Sequence, residues 1–254
     1  MNTCMKTPLS FLVLLLAPVL AYGQDSTRVG VVSTKVFQVD FQPGFLRGDL
    51  SSINNSLSAF GYNPMGGNML TYTISAKFIT NRFVFDFGIP FFRAPDQSHP
   101  DQRRTTLSGA GVNFEASLGY VLVEKKGFRL YPFAGVRSNY ARLRLMDTSP
   151  VNTLGGIMNS TRKEGAITFN SGSFNVGIHA EKLIPLKNRK IDCPQNTRYL
   201  SLGFKAGYLF PINGGEPGEY NGQELIDAPR FGLKGPYVRL TVGFGTGIRQ
   251  LKWQ

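Results

Sequence analysis

An alternation of apolar and polar residues dominates the stretch GVNFEASLGYVLVEKKGFRLYPFAGV, residues 111–136. Apolar side chains fall on every second position from Val112 to Leu122, and a charged turn at 124–127 then reverses the chain. Successive side chains of a strand point to opposite faces, so the pattern predicts a β-hairpin with one apolar face. That face must contact either the core of a soluble sandwich or lipid.

The same alternation recurs along the chain and predicts an all-β domain of about eight strands. The first strand is the weakest prediction, because Lys35 interrupts its apolar face. Alternation in the fifth strand blurs after Ser138, which indicates a bulge there. The predicted strands lie near residues 28–41, 70–78, 83–91, 111–122, 128–145, 173–181, 200–210 and 235–244.

Link lengths sort by parity. The links after strands two and four are short, at 80–82 and 123–127, and the link after strand six, at 183–197, is intermediate. The odd-numbered links are long and polar, at 42–68, 93–106, 146–172 and 211–234. Short turns at one end and long loops at the other are typical of an outer-membrane barrel, whereas a sandwich has no reason to sort them. We therefore predict a closed antiparallel up-and-down transmembrane β-barrel.

The two faces of the strands differ in chemistry. The apolar face carries almost no charge, and Tyr72, Tyr120, Tyr208 and Tyr237 lie near strand ends, as interfacial girdles do. The other face carries charges that would cost several kcal/mol if left unpaired in a dry core. Glycines on that face leave room for long side chains, so we expect an ionic plug in the lumen. The predicted lumen network is Lys77, Asp86, Glu115, Arg129, Arg137, His179, Glu181, Lys205 and Arg239.

The N-terminal segment 1–23 is predicted to be a secretory signal peptide, which leaves 24–254 as the barrel domain. Lys6 precedes an apolar run at 11–16, and small residues stand at Ala21 and Gly23. The alternative is an uncleaved anchor helix, but a helix that spans a membrane needs about 20 apolar residues, and this run is shorter. The mature chain would keep one cysteine, Cys193, and so no internal disulfide.

The net charge of +12 and the isoelectric point near 9.9 favour anionic partners. Nucleic acid is excluded for an exported protein, while outer-membrane lipid and lipopolysaccharide fit. The alternative is a basic surface that is merely solvated.

The terminal strand, read with the parity of the links and the signal segment, resembles small outer-membrane β-barrel proteins of the Bacteroidetes type, in the OmpA-like and OmpX-like barrel group. The resemblance implies a location in the cell outer membrane and insertion by the barrel-assembly machinery. The ending Leu240-Thr241-Val242-Gly243-Phe244 looks like the signal which that machinery reads, although residues 246–254 extend beyond it.

No enzyme, cofactor or metal site is predicted. Covalent catalysis needs a nucleophile and a base held by a third group, and only His99 and His179 are available as histidine bases. We expect His99 to be solvated in a loop and His179 to pair within the lumen. The prediction is a non-enzymatic structural or surface-binding barrel. A narrow gated pore, a component of a secretion or assembly machine (an envelope protein partner), and a lipid-modifying enzyme are the alternatives.

The long loops are the expected working surface. In loop one, Asp49 could cap a short helix with Ile53, Leu57 and Phe60 on one stripe. This helix could close the barrel mouth, dock a partner or pack on the rim. Loop four is acidic, which fits a solvated loop better than a cation site, with Glu216, Glu219, Glu224 and Asp227.

Overall fold

Backbone hydrogen bonds join the strands of this computed structural model into an antiparallel ring. The structure describes residues 32–59, 62–95, 97–98, 103–109, 113–147, 164–186, 196–212, 217–220, 223–224 and 229–251. Residues 34–249 form one unit by their contacts. Residues 1–33 with 250–254 form another, described only at 32–33 and 250–251. The predicted signal peptide lies outside the described residues.

The ring runs β1-β2-β3-β6-β8-β9-β10-β13 and closes from β13 to β1. The predicted eight-stranded antiparallel barrel, with a short helix in its first long loop, is confirmed. No helix among the described residues is both long and apolar enough to cross a bilayer. The described elements are β1 (Val32–Arg47), α1 (Ser51–Ala59), β2 (Asn68–Thr80), β3 (Phe83–Arg93), β4 (Gln97–Ser98), β5 (Arg103–Gly109), β6 (Phe114–Tyr120), β7 (Val123–Lys125), β8 (Phe128–Asp147), β9 (Glu164–Pro185), β10 (Asn196–Pro211), β11 (Glu219–Tyr220), β12 (Gln223–Glu224) and β13 (Gly235–Leu251).

Two tight turns define one end of the barrel, here called the turn end. Asn81 and Arg82 have φ angles of 48° and 71°, and Lys126 and Gly127 have φ angles of 50° and 76°. Positive φ at both central residues is the signature of a two-residue turn whose twist matches the flanking strands. The opposite end carries the four long links and is called the loop end.

The irregularity expected after Ser138 lies in the neighbouring strand instead. β8 runs without interruption. β5 and β6 both pair antiparallel with it, one after the other, and occupy the same place in the ring. Gly109 pairs with Ala141 and Phe114 with Ser138. Four residues therefore separate the β5 and β6 pairs where only two separate them on β8, so the prediction placed the bulge on the wrong strand.

The phase of β8 blurs in sequence because the polarity of its two faces inverts. Up to Val136 the outward side chains are apolar, whereas Arg142 and Arg144 point outward near the loop end. The inward positions change in the opposite sense, from Arg137 to the buried Leu143. Alternation of burial continues throughout, so the strand keeps the same two faces while their chemistry changes.

Two sequence expectations at the barrel ends need correction. β1 is a full strand that extends to Arg47, and Lys35 lies exposed on its outer face without disturbing the alternation. Tyr237 was expected in an outer aromatic girdle, but it is buried inside, 2% exposed. Its neighbours Pro236 and Val238 face outward, and the odd phase of β13 places Tyr237 in the lumen.

A cluster of buried apolar side chains, the loop-end layer, fills the barrel mouth at the loop end. Helix α1 contributes Ile53 and Leu57, which are 1% and 4% exposed. Of the three lid, docking and rim hypotheses, burial of this stripe against inward side chains of the wall supports a lid. Phe60 lies outside the described residues. The layer comprises Leu46, Leu50, Ile53, Leu57, Met65, Met69, Phe92, Ala94, Leu107, Phe133, Ala141, Leu143, Phe169, Leu209, Phe231, Leu233 and Tyr237.

Polar contacts fasten this lid to the wall. Asn54 clamps the returning chain, because its amide donates to the Met65 carbonyl at 3.0 Å and accepts from the Met65 amide at 2.7 Å. The Asp49 amide donates to the Lys234 carbonyl at 2.9 Å. The Asp49 carboxylate interacts with the Ser51 side chain and accepts a hydrogen bond from the Ser51 amide at 3.1 Å, and both contacts lower the pKa of Asp49 below its usual range.

Replacing Ile53 by Ala should loosen the lid without opening the ring. Loss of a buried aliphatic side chain costs about 2–5 kcal/mol, and α1 is held by few elements. We expect amide hydrogen exchange in residues 51–59 to accelerate at least about ten-fold, with exchange in β2 and β10 unchanged. Ser52→Ala, at an exposed position of the same helix, is the control. Equal exchange in the two variants would contradict the lid.

Candidate functional site

All nine residues predicted for the lumen network lie on the inner face of the ring and are buried. They come from seven strands, so the closed ring is needed to bring them together. The residues and their strands are Lys77 on β2, Asp86 on β3, Glu115 on β6, Arg129 and Arg137 on β8, His179 and Glu181 on β9, Lys205 on β10, and Arg239 on β13. They form two groups of contacting side chains, one nearer the turn end of the barrel and one nearer the loop end.

The group nearer the turn end centres on Lys77 and is called the Lys77 cluster. The Lys77 ammonium lies 3.0 Å from both the Asp40 and the Glu181 carboxylates. Glu181 also accepts hydrogen bonds from Ser201 at 3.2 Å and from Gln38 at 3.3 Å. One buried cation thus bridges two carboxylates from β1 and β9, two strands that are not neighbours in the ring.

The group nearer the loop end centres on Glu115 and is called the Glu115 cluster. The Arg239 guanidinium donates to both carboxylate oxygens of Glu115, at 3.2 and 3.0 Å. Lys205 lies 3.0 Å from Glu115 and 3.0 Å from Asp86. Arg137 is more distant, at 3.9 Å. Two-pronged arginine contacts of this kind are strong and directional.

Neutral polar groups complete the Glu115 cluster. Asn175 donates to Glu115 at 3.0 Å and accepts from the Tyr237 hydroxyl at 2.7 Å. The Tyr237 ring also packs under the Arg239 guanidinium, with the guanidinium carbon 4.5 Å from the ring centroid. These contacts fix the orientation of the carboxylate and of its main cation.

Arg129 and His179 occupy the periphery of the Lys77 cluster. Two nitrogens of Arg129 donate to Glu124 at 3.0 Å, and the Glu181 carboxylate lies 3.9 Å away. His179 shares a 2.9 Å hydrogen bond with the Tyr131 hydroxyl. Its other ring nitrogen lies 3.9 Å from Glu181. The histidine thus contacts a phenol and a carboxylate, and both are buried with it.

Glycine at two inner positions makes this packing possible. A side chain at Gly44 would place its first carbon 2.8 Å from the Arg239 side chain, and one at Gly243 would overlap the Asp40 carboxylate. Lumen glycines were expected to leave space for charged side chains. Gly243 belongs to that predicted set, whereas Gly44 was not identified from sequence.

A second apolar cluster, the turn-end layer, closes the other end of the interior. It consists of Val36, Ile79, Val84, Val121, Tyr131 and Tyr199, with Leu183 packed against it. The ionic clusters therefore lie between two apolar layers along the barrel axis. This layering was absent from the sequence prediction.

Several residues of the site were not identified from sequence. Asp40 is a direct partner of Lys77, and Gln38 and Asn175 contact the two central carboxylates. Strict alternation along β1 would have placed Gln38 and Asp40 inward. Tyr131 and Tyr237 were missed because they are aromatic residues on a face expected to be charged.

Within the described part of the chain, no group of three or more His, Cys, Asp and Glu side chains is placed to hold a metal ion. His99 and Cys193 lie outside the described residues, as do Glu216 and Asp227 of loop four. Glu219 is described and exposed.

No family model and no curated protein matches this chain. It is similar to the solved structure of Ail, the attachment invasion locus protein of Yersinia pestis, with 10% identity, a TM-score of 0.36 and coverage of 87% of this chain and 100% of that one. It is also similar to the solved structure of Neisserial surface protein A, with 11% identity, a TM-score of 0.31 and coverage of 85% of this chain and 97% of that one. A third similar structure is that of a major outer membrane protein from Thermus thermophilus, with 13% identity, a TM-score of 0.40 and coverage of 85% of this chain and 99% of that one.

At these identities and TM-scores the likeness establishes neither the fold, which the strand pairing shows directly, nor the function. The Bacteroidetes lineage inferred from sequence stays a prediction.

Replacing Glu115 by Gln should destabilise the barrel strongly. The change removes the charge that Arg239 and Lys205 share, and an uncompensated buried charge costs about 3–5 kcal/mol. Urea unfolding in lipid vesicles measures this. The matched control is Glu219→Gln, at an exposed position of β11, which should matter by less than about 1 kcal/mol. Similar midpoints for the two variants would show that the Glu115 cluster does not stabilise the barrel.

Proposed function

We propose that this chain is an outer-membrane β-barrel with a sealed interior, and that it acts as an envelope structural or surface-binding protein. The observation that carries the proposal is the closed ring itself, apolar on its outside and ion-paired on its inside. In a soluble protein, this ring would expose its apolar side chains to water and bury its charged ones.

The outer wall supports contact with hydrocarbon. Each of the eight barrel strands exposes large apolar side chains, among them Phe244 at 64%, Leu240 at 60% and Phe45 at 60%. Soluble monomers rarely expose contiguous apolar patches beyond a few hundred Å². An apolar surface that encircles the protein fits a bilayer rather than water.

The height of this wall also supports a bilayer. On β10 the outward apolar side chains run from Leu200 to Phe210, which is about 33 Å along a strand and about 25 Å along the normal at a tilt of about 40°. Tyr72 stacks on Phe91 near the loop end, with centroids 4.9 Å apart. At the turn end, Lys182 directs its ammonium to the Lys126 carbonyl at 2.7 Å, as a lysine does at an interface.

The filled interior supports a non-conducting barrel. An eight-stranded ring is only wide enough to be filled by side chains. Here the filling consists of two ionic clusters between two apolar layers, and the largest fully buried side chains include Arg239, Lys77 and Lys205. An ion crossing this interior would have to displace both apolar layers.

The burial of the ionisable groups supports a non-enzymatic role. His179 is 0% exposed and lies within the Lys77 cluster, so no lipid or aqueous substrate reaches it in this arrangement. The loop end then remains as the working surface. Proposed partners are outer-membrane lipid and lipopolysaccharide around the wall, the barrel-assembly machinery during insertion, and an envelope protein at the loops. No cofactor is proposed.

Placing an arginine in the apolar belt should distinguish lipid from water outside the wall. Phe87 lies midway along β3, and Phe87→Arg should cost about 2–4 kcal/mol in vesicles. The control is Tyr220→Arg, an equally exposed aromatic on β11 beyond the belt, which should have little effect. Urea midpoints and the shift in electrophoretic mobility between unheated and boiled samples measure both. A harmless Phe87→Arg would contradict membrane insertion.

The wild-type protein in a planar bilayer should give no unitary conductance steps. Both apolar layers exclude hydrated ions, and the side chains of the two ionic clusters fill the space between the layers. Discrete steps that change in amplitude in Glu115→Gln would instead support the narrow gated pore.

A further inference from the structure

We infer that Arg142 and Arg144 form a binding site for the phosphate groups of lipid A, on the outer face of the wall just beyond the apolar belt. The inference rests on the proposed outer-membrane location, with the loop end outward. It adds a defined partner and two residues that recognise it.

The two arginines belong to two adjacent cross-strand rows on the outside of the sheet. In one row Arg93, Ser108, Arg142 and Thr168 are successive partners across four strands. In the next, Thr106 pairs with Arg144. Alternate residues of a strand are about 7 Å apart and neighbouring strands about 4.8 Å apart. Three guanidinium groups and three hydroxyl groups therefore share one small face.

The position of these rows matches the headgroup level. Arg142 and Arg144 follow the inversion of polarity on β8, beyond the apolar Val136 and the interfacial Tyr140. Val136 pairs with Phe174, which is 53% exposed on the same outer face. A lipid whose acyl chains lie along this part of the belt would therefore carry its headgroup at the arginine rows.

Neither arginine is neutralised within the described part of the chain. No carboxylate there lies within ion-pair distance of Arg142 or Arg144, and the Arg142 Nε is buried without a hydrogen-bond partner. The nearest acidic position in the same row is Glu219, two strands beyond Arg142. The partly buried Arg142, with a donor left over, and the exposed Arg144 are suited to bind a phosphate.

A phosphomonoester on an acylated sugar fits this surface better than other anions. Arginine binds phosphate in a two-pronged geometry, and serine and threonine hydroxyls add further donors. The apolar wall directly below takes the acyl chains, which a free anion or a soluble polyanion would leave unused. Lipid A combines both features in the leaflet that the loop end would face.

The test uses the full-length protein purified in detergent and titrated with bisphosphorylated lipid A, with lipid A from which both phosphates have been removed, and with phosphatidylethanolamine. Native mass spectrometry counts the bound lipid. The variant is Arg142→Gln with Arg144→Gln, and the matched control is Lys125→Gln with Lys126→Gln, which removes the same charge at the turn end. Inorganic phosphate serves as a competitor.

We expect the wild type and the lysine control to bind bisphosphorylated lipid A at least about ten-fold more tightly than the dephosphorylated form, and the arginine variant to lose this preference. Arg142→Lys with Arg144→Lys should retain part of it, because the charge remains but the two-pronged geometry is lost. Millimolar inorganic phosphate should not displace the lipid.

Three results would overturn the site. One is equal affinity of the arginine variant and the wild type, another is equal binding of phosphorylated and dephosphorylated lipid A, and the third is displacement by inorganic phosphate, which would indicate a site for free anions. Electrophoretic mobility before and after boiling checks that each variant is folded. Failure of the wild type to insert in vesicles would instead contradict the proposed function.

Discussion

Pairing between the first and last barrel strands, β1 and β13, is the constraint on which the rest of the structure depends. In hydrocarbon every backbone N–H and C=O must find its partner within the protein, and a closed ring achieves this because it has no edge strand. Once the ring closes, its outer wall is free to be apolar. The same closure with eight strands leaves an interior too narrow for a channel, so side chains must fill it and buried charges must meet partners inside.

The ion pairs do more for the specificity of this fold than for its stability. A buried salt bridge gains little over well-packed apolar residues, but separating its partners is costly. Lys77 sits directly across from Asp86, and Asp40 pairs with the strand that carries Lys77. A register slip of two residues that paired Asp40 with Thr73 would leave every side chain of the two strands on its present face, yet it would move Lys77 away from Asp40. The apolar pattern alone cannot exclude that slip, and the charges can.

Sequence patterning predicted the part of the structure that depends on local periodicity. Alternation and link parity gave the strand number, the closed ring and the inward set from Lys77 to Arg239, because each follows from which face a residue occupies. What it missed depends on position along the axis. Tyr237 and the loop-end layer are apolar and inside, and a rule that equates apolar with outward cannot place them. Asp40 was missed for another reason: it alternates with Val39 and Phe41, but its strand was the weakest prediction because Lys35 interrupts the apolar face.

The inversion of polarity along β8 and β9 explains why the rule fails at one level of the wall. Below Ser138 the outside is apolar and the inside carries the charged side chains between the apolar layers, whereas above it Leu143 and Phe169 face inward while Arg144 faces outward. The ladder between β8 and β9 continues through this level without a break, although β8 changes its other partner there from β6 to β5. A strand that leaves hydrocarbon for water needs the side-chain pattern of a soluble sheet, and it acquires one without a break in the hydrogen bonds. In the proposed outer-membrane location this inversion lies at the edge of the apolar belt, and the arginine rows stand directly beyond that edge.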